Sequence, residues 1–234
     1  MRTSQVAIAA LLGGLVALML VLGVWMRVAA PAAPALSGER ASRTFDHANF
    51  DSIEGSGEWQ VTIERGDAWR VAVDAPAEIV DDLGVEQDGD RLELKIDGGS
   101  WFGGFGRSND GPAVTITMPA LESIVLSGAS QVSFAGFEGD RLSIASSGAS
   151  EVRATASRFD VLSLQISGAG NTDLGGISVT NADVSVSGAA NVTLNMAGGR
   201  LTGDMSGAGN LAYRGTVTEQ SIDTSGFVNV HRID

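Results

Sequence analysis

Two carboxylates, Asp204 and Asp223, occupy equivalent places in consecutive copies of a recurring motif. If the copies stack as neighbouring strands, the two acids stand about 4.8 Å apart. Such a pair could work as acid and base on a glycosidic bond, or hold a cation. No third ligand is evident, and the Gly-Gly-x-Gly-x-Asp pattern of calcium-binding rolls is missing, so solvated surface acids are the plainer reading. His47 and His231 have no Ser, Cys or carboxylate at a recognised catalytic spacing, and no zinc motif exists. Arg65-Gly66-Asp67 spells a tripeptide that integrins read, but it sits where a hairpin needs a turn. Gly103-Gly104-Phe105-Gly106 leads into no helix, so it is no phosphate loop. The absence of Cys excludes disulfides and thiolate metal sites. Nothing here calls for a cofactor or a resident metal, and no catalytic constellation emerges, so the chain reads as a non-enzyme.

The remaining chemistry is that of binding. Trp101, Phe102 and Phe105 lie in the Gly-rich stretch Gly98 to Gly111, in a chain with only 6% aromatic residues. An exposed aromatic loop could grip a sugar, a protein partner or lipid. Alternatively the rings fold back and cover an end or side of a β-core, since exposed apolar patches are uncommon on soluble proteins.

The elements that must position these residues follow from the motif Ser-Gly-Ala-x-Asn and its variants. Its glycines are Gly128, Gly148, Gly168, Gly188, Gly207 and Gly226, spaced by 20, 20, 20, 19 and 19 residues. A fixed period in this range signals stacked units. Before each motif Ser, apolar residues such as Ile124, Leu126, Leu164, Ile166, Val184 and Val186 alternate with polar or small ones; after it, Val132, Val152, Val192 and Leu211 do the same. That is a strand, a glycine corner and a second strand, each with one face turned inward. The expected fold is therefore all-β: a single-stranded β-helix (β-solenoid) with ~20-residue rungs. Ser127, Ser147, Ser167, Ser187, Ser206 and Ser225 would form one column, and Gln131, Glu151, Asn171, Asn191, Asn210 and Asn229 another. Such columns hydrogen-bond along the stack; they could also recognise a repeating polymer such as a glycan.

Upstream the period is two. Trp59, Val61 and Ile63 face Trp69, Val71 and Val73 across the Arg65-Gly66-Asp67 turn, which predicts a hairpin. Leu92, Leu94 and Ile96 with Val114, Ile116 and Met118 predict a second pair, while Ala77 to Asp90 follows no clear pattern. Ser56-Gly57 reads as an early, degenerate copy of the motif.

Val6 to Met26 is an uncharged apolar run of 21 residues, long enough to span a bilayer as a helix, with Trp25 as an interface anchor. A retained signal-anchor is favoured over a cleaved peptide, because a cleaved one has a shorter apolar region. The predicted organisation is a transmembrane segment over 1–28, an Ala/Pro-rich linker over 29–44, a first β part over 45–119 and the recurring units over 120–234. The net charge of −13 and the single lysine, Lys95, leave no basic stripe for nucleic acid.

An apolar N-terminal segment, the block FDSIEGSGEWQVTI and tandem Ser-Gly-x-x-Asn units (Ser167 to Asn171, Ser187 to Asn191, Ser206 to Asn210) together resemble the bacterial head GIN domain family of auto-transporter adhesins. The resemblance runs from about Phe45 to Asp234. It implies a β-helical domain in the bacterial envelope and supplies no catalytic residue. No large C-terminal barrel is present, so self-export is not implied. The expected protein is a membrane-anchored, extracytoplasmic binding module with a glycan or protein partner and self-association through the open end of its stack. A polysaccharide-acting enzyme and a self-associating scaffold are the alternatives.

Overall fold

The computed structural model describes residues 39–96 and 111–233. Eleven strands are found among them: β1 (Arg40–Phe45), β2 (Ser52–Gly57), β3 (Gln60–Arg65), β4 (Arg70–Pro76), β5 (Leu83–Asp88), β6 (Arg91–Ile96), β7 (Ala113–Met118), β8 (Ser123–Ala135), β9 (Glu138–Ala197), β10 (Arg200–Thr216) and β11 (Glu219–Arg232). A short 3-10 turn, Val80–Asp82, precedes β5. All eleven strands belong to one sheet, which wraps into a nearly closed, barrel-like wall around a single core. The core is mostly aliphatic, as low aromatic content requires, with Trp59, Phe50, Phe137 and Phe159 as its large buried rings.

The all-β expectation holds, but the single-stranded β-helix is corrected. One-way winding would need every strand parallel to its neighbour. Here β4 runs antiparallel to both β1 and β7, and β5 antiparallel to β6. The wall is therefore one mixed sheet that folds back on itself at its N-terminal end. Among the described residues no helix is long and apolar enough to cross a membrane. The run 6–26, expected as a transmembrane helix, lies outside the described residues, as does the aromatic loop.

The two predicted hairpins are also corrected. β3 and β4 do not pair: β7 lies between them, parallel to β3 and antiparallel to β4. The Arg65-Gly66-Asp67 turn packs against the end of β7, where the Gly66 amide donates to the Met118 carbonyl at 3.0 Å. A Cβ at Gly66 would collide with the Thr117 side chain, so the turn can sit there only without one. Likewise β6 does not pair with β7; it pairs with β5, which lies in the stretch that shows no clear pattern. Strand alternation locates β3, β4, β6 and β7, but period two carries no information about which strand is the neighbour.

Ion pairs fasten this N-terminal part. Arg40 on β1 meets Asp74 on β4, which also accepts from Ser42 Oγ at 3.0 Å. The Arg40 hydrogen bond holds the Asp74 carboxyl below its usual range. Lys95 on β6 lies 2.5 Å from Glu93 and 3.0 Å from Glu86. Hydrogen bonds to these two carboxylates, Glu93 first, push the Lys95 ammonium up, and Lys95 in turn lowers Glu93.

From β8 onward the pairing is parallel and in register. Each motif residue lies beside its counterpart 20 or 19 positions on: Gly128 beside Gly148, Gly188 beside Gly207, Gly207 beside Gly226. Gly57 stands beside Gly128, so the degenerate Ser56-Gly57 copy heads the same column. All these glycines have positive φ, from +97° at Gly226 to +135° at Gly188. The stack also excludes a side chain: a Cβ at Gly128 would lie 2.6 Å from the Gly57 carbonyl oxygen, and below it each glycine presses on the carbonyl of the one before. Glycine is thus required twice at each bend, by backbone angle and by space.

Candidate functional site

The bend divides each pass of the chain into a strand before the glycine and a strand after it. On the strand before, inward positions are filled by large apolar residues: Leu126, Ile166, Val186 and Met205 are buried. Across the bend, the matching inward positions are small: Ser130, Gly170, Ala190 and Gly209. The pass through Ser146 and Ser150 breaks this rule with two buried serines, whose hydroxyls pair at 2.5 Å and so satisfy each other inside the core. Ser130 Oγ donates to the Gly57 carbonyl at 3.2 Å.

The outward positions build the candidate site. A groove of about 320 Å³ runs across neighbouring passes before the bend, lined by Ser147, Ser167, Ser187, Gln165 and Ser185 together with Leu126 and Ile166. Its width comes from small outward residues, Ala145 and Ser185, next to the motif serines. The pattern of those residues was visible in the sequence as the polar half of the alternation; that they leave a trough was not. Further along the same face the trough gives way to acids, with Asp204 directly beside Asp223 on β10 and β11, both exposed.

Beyond the bend lies the amide column. Asn210 Nδ2 donates to Asn191 Oδ1 at 2.9 Å, and Asn229 stands beside Asn210. Gln131 lies beside Glu151, whose carboxylate pairs with Arg153. A second, smaller groove of about 210 Å³ opens here between Thr62, Gln131, Ser133 and Arg153. The column is thus bonded along the stack between Asn210 and Asn191, and its members lie on an exposed face.

The contacts given for the two histidines are elsewhere. His47 Nε2 faces the Val85 carbonyl at 3.1 Å and its ring stacks on Phe45, while His231 Nδ1 faces Asn229 at 3.4 Å. Neither of these contacts is with a motif serine. Among the described residues no group of three or more His, Cys, Asp or Glu could hold a metal ion. The arrangement can donate and accept hydrogen bonds in a periodic array, which is recognition chemistry. The sequence candidates Trp101, Phe102 and Phe105 lie outside the described residues and add nothing to this geometry.

A family model described as "Putative auto-transporter adhesin, head GIN domain" matches residues 49–193. A putative adhesin from Bacteroides fragilis has a similar fold, with a TM-score of 0.61 at 18% identity over 86% of this chain and 100% of that one. A putative lipid binding protein from Parabacteroides distasonis is similar with a TM-score of 0.51 at 16% identity, over 83% of this chain and 98% of that one. No curated protein matches.

Proposed function

The chain belongs to the head GIN domain family, and on that premise we propose that it is a non-enzymatic binding module of the bacterial cell envelope. The observation that carries this reading is the serine-lined groove: the hydroxyls of Ser147, Ser167 and Ser187 repeat along it at the strand spacing, with the Gln165 amide beside them and no base among its described lining residues to activate a nucleophile. A periodic trough of this kind suits a periodic polar ligand, and a cell-surface glycan is the substrate class it fits. The adhesin descriptions of the family and of the Bacteroides fragilis protein point the same way. The apolar run Val6 to Met26 attaches the module to the membrane, with the acidic domain on the extracytoplasmic side.

A glycan array probed with the full chain tests the reading. Binding is expected, and Gln165→Ala with Ser185→Ala should weaken it severalfold. Turnover of a polysaccharide that is lost in Asp204→Ala or Asp223→Ala would overturn the non-enzymatic assignment. Protease digestion of intact spheroplasts should remove the domain while leaving cytoplasmic markers whole; protection of the domain would overturn its placement.

A further inference from the structure

We propose that β11 is a self-pairing edge, along which two copies of the chain join antiparallel about a twofold axis through Gly226. Among the described residues β11 pairs only with β10, so its other edge carries a row of backbone donors and acceptors. Phe227 is 90% exposed, the sole large apolar side chain so exposed among the described residues. It stands beside Ala208 in a column that elsewhere holds Ala129, Ala149 and Ala189. Ile222, Val228 and Val230 are only partly covered by the core they pack against.

The occupant is read from the sequence of β11 itself. Around Gly226 it is nearly palindromic in shape: Thr224 mirrors Val228, Asp223 mirrors Asn229, and Ile222 mirrors Val230. Thr and Val are isosteres, as are Asp and Asn. Around Gly207 on β10 Asp204 mirrors Asn210 in the same way, but the core-side positions pair Met205 with Gly209 and Gly203 with Leu211, which have nothing in common in volume. A strand that stacks parallel on its neighbours can be large before the bend and small after it. A strand that stacks on its own reverse needs similar volumes at mirror positions on the core side, whereas on the solvent side a large residue such as Phe227 can lie over a small one such as Ser225. In antiparallel pairing, residues directly opposite point to the same face. With the axis at Gly226, Ile222 meets Val230 and Thr224 meets Val228 on the core side, each twice. On the outer side Asp223 meets Asn229 and Phe227 meets Ser225, and no like charges oppose each other. Mirror symmetry of this kind serves an isologous contact and has no use in binding a foreign segment. The inference is independent of the adhesive reading.

The full chain in mild detergent should scatter light as a dimer. Val228→Lys should return it to one chain, with Phe227→Asp as a second variant whose outward, exposed position leaves the fold untouched. Unchanged circular dichroism in both variants would show that the loss is one of association. Because the protein has no cysteine, position-specific oxidation then locates the axis. The double variant Asp223→Cys, Asn229→Cys should become a covalent dimer, and each single variant should not. A monomeric wild-type chain, efficient cross-linking of either single variant, or preferential cross-linking of Asp223→Cys with Phe227→Cys would overturn the proposal.

Discussion

The N-terminal strands β1 to β7 and the C-terminal strands β8 to β11 share one sheet and one core but are held by different means. The first group is a mixture of parallel and antiparallel pairs, fastened by large buried side chains and by edge ion pairs. The second is parallel and in register, and its bends are fixed by backbone packed on backbone. A side-chain contact can be lost at one place and repacked around. A column of glycines has no side chain to yield, so a change in one member displaces the next.

The sharpest break of this comparison is one substitution made in both regions. Gly188→Ala places a Cβ against the Gly168 carbonyl at a φ of +135°. The expected loss is on the order of 3 kcal/mol or more, read as the shift in urea midpoint. Gly89→Ala, in the β5–β6 turn, has the left-handed φ of +60° but nothing within 4 Å. It should cost only about 1 kcal/mol, the price of the angle alone. Equal losses would show that backbone crowding in the column is not what demands glycine.

A smaller effect separates the two polar ladders. Asn210→Ala removes the hydrogen bond that the Asn210 side-chain amide donates to Asn191 Oδ1 on an exposed face. A loss of about 0.5–1 kcal/mol in the same denaturation measurement is expected. No loss at all would mean that the amide column is free for ligand contact and contributes nothing to the stack.

The smallest effect is electrostatic and confined to the N-terminal edge. Asp74 titrates below its unfolded value because Arg40 binds its charged form. Its contribution is therefore present above about pH 4 and disappears as pH falls through the folded value. Arg40 and Asp74 are 35% and 44% exposed, so screening keeps this below about 0.5 kcal/mol. The protection factors of β1, taken against the intrinsic exchange rate at each pH, should fall on acidification, while those of β9 stay unchanged. Protection of β1 that is indifferent to pH would remove the ion pair from the account.

How far the sequence could be read differs between the same two regions. The motif Ser-Gly-Ala-x-Asn set the register of β8 to β11 residue by residue, because a positive φ and a forbidden Cβ leave a visible mark at each bend. Even Gly57, isolated from the other copies, was recognisable by Ser56-Gly57. Among β1 to β7 alternation marks β3, β4, β6 and β7 but not their partners, and it does not mark β1, β2 or β5. Nothing local tells Val71 that it will face Ile116 and not Ile63, since both neighbours offer the same β-branched surface. The antiparallel pairs that turn the wall into a mixed sheet were invisible for that reason. The groove is hidden differently: the sequence shows the serines as a column, but not that small outward residues such as Ala145 and Ser185 leave a trough beside them.

One distance along the chain sets the order of assembly. From Gly128 onward each glycine finds its partner 19 or 20 residues away, whereas Gly57 must find Gly128 across 71 positions (128 minus 57). Closing a loop costs entropy that grows with its length, and contacts of long sequence separation form late. The C-terminal passes are therefore expected to zip first, each templating the next, and the N-terminal strands to close onto a surface that already exists. During that interval the exposed strand is β8, at the opposite end of the column from Phe227.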